Sequence, residues 1–486
     1  MEDNARSRQP SAVTARLGRR SERGVMWGLS AAQMAAVGVA AAILGPAAMS
    51  AGAMGIVMTA PGWVTALVLA FVAPQGRTLV SWAPIVAHAL LRRIRGQALW
   101  LVRPGQSRHV GSLSLPGEAA SLRLHKHEPS GAAFIYDPHR RMLTGVVRVR
   151  HDVFLLLSVD DQNRRVAGWG QALSGACRTG RMSRLQVLVR SLPEGGNAVR
   201  TYWERAGRQD SGLAAASYGE LVRNAEPTSS RHETLLSVTV SLKDSARAVR
   251  SAGGGVAGAA DVLARELTSL TANLRSAEIN VDAWLDETDL ARLINTAFRP
   301  HHTPAWERTG LGRDIDVAGP VAVSAEWDHV RIDDGWHAVL WIKEWTREEV
   351  DATFLVPLLL ATSVHRSVSV VYRPRTVREA TRQLKIEQAE QESEQRRRDK
   401  HDIRTTAAQK REQEDVDKRE RELVAGHADL AFTGLVTVSA GSKQELELAL
   451  EETETACHHC GLDTVVLYGQ QDTAFYAALP FGRVLL

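Results

Sequence analysis

The sequence predicts an α+β protein with an N-terminal two-helix transmembrane hairpin, ferredoxin-like α/β cytoplasmic units and a long charged helical arm. Three observations predict this class. Residues 24–76 contain no charged side chain. Strand-like and helix-like patterns alternate from about residue 105. Residues 377–423 are densely charged and contain neither Pro nor Gly.

Charge divides the chain into two parts. The 486 residues carry a formal net charge of +4, but residues 1–105 hold 11 Arg, no Lys and three acidic residues, a net of +8, and the remainder has a net of −4. This division excludes a uniformly basic nucleic-acid-binding protein, and we expect no direct sequence-specific nucleic-acid binding. Three cysteines in 486 residues exclude a disulfide scaffold.

Two apolar blocks form the predicted hairpin, Leu29–Met49 and Ala53–Ala73. Each has about 20 residues, which is enough to cross a bilayer core of about 30 Å. Arginines flank the pair on both sides and place both termini in the cytoplasm, which predicts a two-pass protein of the inner (plasma) membrane. The flanking arginines are Arg19, Arg20, Arg23, Arg77, Arg92, Arg93 and Arg95. The alternatives are a signal peptide, which the doubled apolar stretch exceeds in length, and a buried helical hairpin.

The segment Leu79–Leu101 follows the hairpin and combines apolar residues with Arg on one side. This pattern favours an amphipathic helix that lies on the inner leaflet. An ordinary core helix is the alternative.

Composition delimits seven segments. They are a basic cytoplasmic tail (1–23), the hairpin (24–76), an amphipathic exit helix (77–104), an α+β unit (105–225), a second α+β unit (226–375), the charged arm (376–424) and a C-terminal α/β unit (425–486). The first two units share a β–α–β order and predict a degenerate repeat.

Period and turn residues predict the elements of the cytoplasmic part. The predicted strands are Ala132–Asp137, Met142–Arg150, Phe154–Val159, Leu185–Ser191, Thr234–Leu242, Glu278–Trp284, Trp336–Trp345, Phe354–Leu360, Ser367–Tyr372, Phe432–Ser439 and Thr464–Tyr468. The predicted helices are Asn163–Cys177, Val256–Leu274, Glu287–Phe298, Gln444–Cys457 and Asp472–Leu479.

The arm, Val377–Leu423, has 13 basic and 13 acidic residues. Opposite charges stand four positions apart in the favourable order at Glu392→Arg396, Glu394→Arg398, Glu414→Lys418 and Asp417→Arg421. These pairs predict a solvated helix or helical hairpin, which serves either as a contact for a partner or as a spacer.

The motif search identifies no catalytic group. No Gly-Lys dipeptide occurs, which excludes a P-loop ATPase. The glycine run Gly253–Gly258 formally matches a dinucleotide loop, but a flexible loop is favoured because no strand pattern precedes it. Cys457 and Cys460 have metal or redox spacing but fit a helix end better, and His125, His127, His301 and His302 lack the H-E-x-x-H spacing. We therefore expect no enzyme activity, no cofactor and no metal.

The exit segment resembles a known motif. Gly76, Arg77, Leu79, Trp82 and Pro84, followed by Arg92-Arg93 and Gly96…Trp100, resemble the hairpin-and-exit motif of PrgI-like membrane proteins of conjugative type IV secretion systems. EccE-type subunits of type VII secretion share a related exit.

A second resemblance lies near the C-terminus. It resembles an actinobacterial membrane-protein family that accompanies conjugation-type ATPases, and in layout the non-ATPase N-terminal domain of VirB-type assembly ATPases. The residues that carry it are Gly426, His427, Tyr468, Gly469, Gln470, Gln471, Phe475, Pro480, Gly482 and Arg483. The two resemblances together imply an oligomeric, non-enzymatic membrane scaffold of a secretion or DNA-transfer apparatus that docks a separate ATPase and other membrane subunits. The alternatives are an EccE-like type VII secretion subunit and a membrane-tethered enzyme that uses the glycine run or the Cys457/Cys460 pair.

Overall fold

The computed structural model describes residues 29–485 apart from 74–76, 103–110, 151–153, 195–196, 208–211, 225–229, 347, 361–363, 401–413, 415, 422 and 424–428. Arg19, Arg20, Arg23, Gly76, Gly426 and His427 lie outside the described residues.

The described residues form a mixture of helices and strands. The helices are α1 (Ala31–Met58), α2 (Ala60–Phe71), α3 (Leu79–Ile94), α4 (Val159–Arg178), α5 (Asn197–Ala206), α6 (Leu213–Asn224), α7 (Ala246–Ser251), α8 (Gly255–Ser276), α9 (Glu287–Phe298), α10 (Thr303–Thr309), α11 (Val356–Leu359), α12 (Val377–Lys400), α13 (Lys443–His459) and α14 (Gln471–Ala478). The strands are β1 (Leu99–Leu101), β2 (Arg123–His127), β3 (Ala132–Asp137), β4 (Met142–Arg150), β5 (Met182–Pro193), β6 (Ser230–Ser241), β7 (Asn280–Trp284), β8 (Ala322–Ala325), β9 (Val330–Ile332), β10 (Gly335–Glu344), β11 (His365–Pro374), β12 (Leu430–Ala440) and β13 (Asp463–Val466).

These thirteen strands form one sheet in the order β1-β8-β9-β10-β12-β11-β5-β6-β4-β3-β2, with β13 paired to β10 and β7 paired to β4. All their pairings are antiparallel. Strands from the segments 105–225, 226–375 and 425–486 therefore share one sheet.

The sheet contains the same β–α–β–β–α–β unit twice. In the first unit β4, α4, β5, β6, α8 and β7 follow one another, and the strands lie in the order β7-β4-β6-β5. In the second unit β10, α11, β11, β12, α13 and β13 give the equivalent order β13-β10-β12-β11. The limits of the repeat thus differ from those expected, because β6 belongs with the strands before it and lies between β5 and β4.

The two units have equivalent strand orders and meet side by side in the sheet. They meet where β5 pairs with β11, for example at Leu188 and Ser369. The third residue of β4, Thr144, pairs with Thr239, and the third residue of β10, His337, pairs with Ser439. The β5–β6 connection contains α5 and α6, and the equivalent β11–β12 connection contains the charged arm.

Apolar residues alternate between the two faces of the sheet, as the strand period requires. On β6, Leu235 lies in a core with α9 and α14, and Leu236 lies in a core with α8 on the opposite face. A third core, which includes Leu340 and Val436, lies under α13.

Two predicted strands are wrong. Phe154–Leu156 is a 3-10 turn, and α4 begins at Val159 because Ser158 caps it by accepting a hydrogen bond from the Asp161 backbone N–H at 3.3 Å. Residues 354–360 contain the short helix α11, whose first turn holds a proline. Proline has no N–H to donate to a sheet and fits the first turn of a helix.

The arm folds back on itself. The helix α12 is followed, beyond residues outside the described set, by helical residues 416–421. Arg419 Nη1 lies 3.1 Å from Glu387 Oε2, and Gln388 Nε2 donates to Glu420 Oε2 at 2.9 Å. Of the two forms left open by the sequence, the helical hairpin is therefore the one observed.

One described helix, α1, is long and apolar enough to cross a membrane, and α2 is a shorter apolar helix. The backbone of α1 is non-helical at Gly52, with φ 56° and ψ −136°. Gln33 Nε2 donates to the Ala70 carbonyl at 2.9 Å, so the start of α1 lies beside the end of α2. Val39, Met54 and other apolar side chains of these helices are exposed.

Candidate functional site: the junction of exit helix and last helix

The exit helix α3 packs against the part of the sheet that carries the last helix, α14. Trp82 of α3 forms an aromatic cluster with Trp327 and Tyr468, with ring centroids 6.0 Å from both partners. Arg77, just before α3, places its guanidinium 5.5 Å from the Trp341 ring centroid, a cation–π contact with β10. The exit motif and the C-terminal motif, which are at opposite ends of the sequence, therefore form one junction.

An ion pair closes the other end of this junction. Arg92 donates through both terminal nitrogens to the Asp472 carboxylate, with Nη1 3.0 Å from Oδ1. The two side chains are 17% and 10% exposed. The hydrogen bond to Asp472 raises the pKa of Arg92.

Gly469 makes the close approach possible. Its φ is +70°, a region that favours glycine, and a Cβ there would lie 2.7 Å from the Trp327 ring and 3.1 Å from Ile85 Cγ2. Its backbone N–H donates to the Trp327 carbonyl at 2.7 Å. Any larger residue would push α3 or Trp327 away.

The side chain of Gln471 makes hydrogen bonds to β10 beyond the point where the paired strand β13 ends. β13 ends at Val466, and the buried side chain of Gln471 then accepts from the Val339 N–H at 2.8 Å and donates to the Val339 carbonyl at 3.3 Å. The backbone of β10 is thereby satisfied where its neighbour strand stops. The backbone carbonyl of Gln470, one residue earlier, accepts a hydrogen bond from the Ala474 N–H at 2.9 Å at the start of α14.

The C-terminal residues extend along one face of the sheet and contact strands of the first unit. Phe475 stacks on Phe298 with centroids 5.7 Å apart. Pro480 follows the end of α14, and Gly482, at φ +69°, would place a Cβ 2.7 Å from Thr239 Oγ1. Arg483 Nη2 then lies 3.1 Å from Asp137 Oδ2, and both side chains are 7% exposed.

The remaining predicted residues lie around this junction. Leu79, the first residue of α3, donates its N–H to the Val72 carbonyl at 3.0 Å. Pro84, Arg93 and Arg95 are exposed, on the part of α3 that does not contact the sheet.

Sequence reasoning missed Asp472, Trp327 and Trp341. The contacts that give them a role come from residues hundreds of positions away. A single acid in the first turn of a helix, such as Asp472, is by itself an ordinary helix feature.

The other motifs do not form a catalytic site within the described residues. The glycine run follows a helix, α7, and leads into α8, which agrees with a loop rather than a dinucleotide site. Cys457 and Cys460 are buried, and burial raises the pKa of the Cys457 thiol to about 12, so it is not a ready thiolate ligand. His127 Nε2 lies 3.1 Å from Asp261 Oδ1. One group could hold a metal ion: His301, His302 and Asp334.

Comparison with known proteins gives one family. No curated protein matches the chain. Residues 228–342, which run from β6 through most of β10 and include Trp327 and Trp341 of the junction, match the family model described as "Putative type VII ESX secretion system translocon, EccE". This match covers less than half of the chain, supports the EccE part of the resemblance and does not extend to its PrgI or type IV part.

Proposed function

We propose that the protein is a non-enzymatic, membrane-anchored structural subunit of a type VII secretion apparatus. The observation that carries this proposal is the EccE match over residues 228–342. The matched segment contains Trp327, which packs against Trp82 of the exit helix, and Trp341, which contacts Arg77 just before that helix. An apolar N-terminal helix precedes the exit helix in the chain. In this role the sheet is a scaffold, and we propose that its two units are ferredoxin-like, as their strand order supports.

The anchor of this proposal is a two-pass hairpin with both termini in the cytoplasm. The contact between Gln33 and Ala70 and the non-helical Gly52 support a chain reversal within the apolar region. Arginines flank the region on both sides, including Arg77 and Arg92 after it.

The exit helix joins anchor and scaffold. One face of α3 contacts the sheet through Trp82 and Arg92, and the apolar side chains Val86, Leu90 and Ile94 on its outer face are exposed. We propose that this outer face lies in the headgroup region of the inner leaflet, where apolar side chains and basic neighbours are both accommodated.

Topology is tested by cysteine labelling in a variant that lacks the three native cysteines. Ser50→Cys lies in the proposed outer turn, and Gln97→Cys lies after the exit helix. In spheroplasts, a membrane-impermeant maleimide should label the cysteine at position 50 directly and the cysteine at position 97 only after permeabilisation. Labelling at position 97 in intact spheroplasts, or recovery of the chain in the soluble fraction, would contradict the two-pass anchor.

The scaffold of this proposal docks the motor ATPase of the apparatus, and the charged arm supplies one of its contact surfaces. The arm leaves and re-enters the sheet at Pro374 and Leu430, which are paired neighbours, so a short turn can replace it without disturbing the strands. Co-purification of the ATPase from membranes should occur with the full chain and fall when residues 377–423 are deleted.

The control for this deletion is that it still unfolds in one cooperative thermal transition, at a midpoint lowered by the loss of the Arg419 ion pairs. If the ATPase is absent from both samples, the docking proposal is wrong. An unchanged yield with the deletion would restrict docking to the sheet.

A further inference from the structure

Three side chains that can bind a metal ion converge on the surface beside the start of β10. Nε2 of His301 and Nε2 of His302 lie 3.0 and 2.7 Å from Oδ2 of Asp334, and the three ligand atoms lie within 4.8 Å of one another. Among the described residues this is the one group of three or more His, Cys, Asp or Glu side chains with such convergence.

The group joins two separate turns. His301 and His302 lie in the 3-10 turn Pro300–His302 that follows α9, and Asp334 lies in the turn between β9 and β10. At the topologically equivalent place after α14, Arg483 pairs with Asp137, the last residue of β3.

Other contacts already hold the β9–β10 turn against the segment after α9. Arg299 Nη1 lies 3.4 Å from Asp333 Oδ2, and this pair has the same topological position as the Arg483–Asp137 pair. His337 adds a hydrogen bond from its ring to the Phe298 carbonyl at 2.9 Å. The two histidines and Asp334 are therefore additional to the contacts that hold this turn in place.

The donor set indicates the kind of ion. Two imidazole nitrogens and one carboxylate suit Zn²⁺ and neighbouring transition ions better than Mg²⁺ or Ca²⁺, which prefer oxygen ligands. Tetrahedral Zn²⁺ with bonds of about 2.0–2.1 Å separates its ligand atoms by about 3.3 Å, which is close to the 3.0 and 2.7 Å that separate the two Nε2 atoms from Asp334 Oδ2. The His302 ring is oriented by stacking on Trp306, with centroids 5.4 Å apart.

The surroundings keep the site open. The side chains of His301, His302 and Asp334 are 31%, 41% and 54% exposed, which leaves a coordination position for water.

We propose that His301, His302 and Asp334 bind one Zn²⁺ ion, which clamps the segment after α9 to the β9–β10 turn. The inference is independent of the proposed secretion role. On binding, each imidazole gives its Nε2 lone pair to Zn²⁺, so the proton that Nε2 shares with Asp334 moves to Nδ1 or is released to solvent, and Asp334 binds Zn²⁺ through its carboxylate.

The test is calorimetric titration of the tag-free, chelator-treated full chain in detergent with Zn²⁺. We expect one Zn²⁺ per chain in the unmodified protein. Asp334→Asn keeps the shape of the side chain but weakens the ligand, and His302→Gln removes an imidazole. Each variant should weaken binding at least about tenfold while the apo protein unfolds at a similar temperature.

The matched control is His458→Ala with His459→Ala, an exposed adjacent pair beside the two buried cysteines. This variant should bind Zn²⁺ as the unmodified chain does. Co²⁺ substitution gives a second readout, because nitrogen and oxygen ligands produce no thiolate charge-transfer band. Absence of Zn²⁺ binding, unchanged binding in Asp334→Asn and His302→Gln, or a thiolate band with loss of binding in the control variant would each overturn the proposal.

Discussion

Arg92 of the exit helix and Asp472 of the last helix form a two-pronged ion pair across 380 positions of sequence. Each side chain is more than four-fifths buried. The pair fixes the segment that leaves the apolar region to the unit that completes the sheet. The position of the anchor relative to the scaffold therefore depends on a contact between the two ends of the chain.

Removing one partner should release the exit helix. Arg92→Met leaves the Asp472 carboxylate without its cation, and we expect a loss of about 2 kcal/mol in the free energy of unfolding. Amide hydrogen exchange should rise in Leu79–Ile94. Arg93→Met changes the exposed neighbouring arginine and should alter neither quantity. Equal exchange in the two variants would show that the ion pair does not hold the helix.

Gly469→Ala should be destabilising because it combines backbone strain with a close contact. The alanine Cβ would lie 2.7 Å from the Trp327 ring at a backbone φ of +70°. We expect the free energy of unfolding, measured by thermal unfolding in detergent, to fall by about 2–4 kcal/mol. Gly170→Ala is the matched control, since Gly170 lies within α4 and no atom is within 4 Å of its added Cβ. That variant should be neutral or gain up to about 1 kcal/mol, and an equal loss in both would contradict the role assigned to Gly469.

Local elements of this fold were predictable from sequence, and their assembly was not. The predicted helix Glu287–Phe298 has the bounds of α9, and in the structure Asp286 caps it by accepting a hydrogen bond from the Asp289 backbone N–H. The strand β6 was also predicted, but nothing local indicates that it inserts between β5 and β4. Strand order depends on pairing between distant segments, which hydrophobic period alone does not encode.

The candidate site shows the same limit. Tyr468, Gly469 and Gln471 were named from a motif resemblance, but their partners Trp327 and Val339 were not. The need for glycine at position 469 arises only when Trp327 packs against it. Similarly, His301 and His302 were discounted for their spacing, since the third ligand, Asp334, comes from a separate turn.

Stability should depend on pH through Glu233. Burial tends to raise the pKa of Glu233, but Arg190 and Arg148 outweigh it and lower this pKa to about 2, from a usual 4.5. A carboxyl group with a depressed folded-state pKa stabilises the protein above the unfolded-state pKa, and this contribution is lost as the pH falls from about 4.5 to about 2. The shift corresponds to about 3 kcal/mol. Thermal unfolding between pH 7 and pH 2 should therefore show a large difference between Glu233→Gln and the unmodified chain at neutral pH that shrinks below pH 4.5. Parallel profiles would contradict this assignment.

The base of the charged arm should open when Arg419 is removed. Arg419 pairs with Glu387 at 3.1 Å and with Asp429 at 2.9 Å, and it thereby joins the returning helix both to α12 and to the start of β12. Because Arg419→Ala breaks both pairs, we expect faster amide hydrogen exchange in α12. We also expect the free energy of unfolding to fall by about 1–2 kcal/mol. Arg396→Ala is the matched control: its i,i+4 pair with Glu392 is 81% and 69% exposed, and such a pair contributes about 0.5 kcal/mol or less. If both variants leave α12 exchange unchanged, the hairpin is held by contacts other than this ion-pair network.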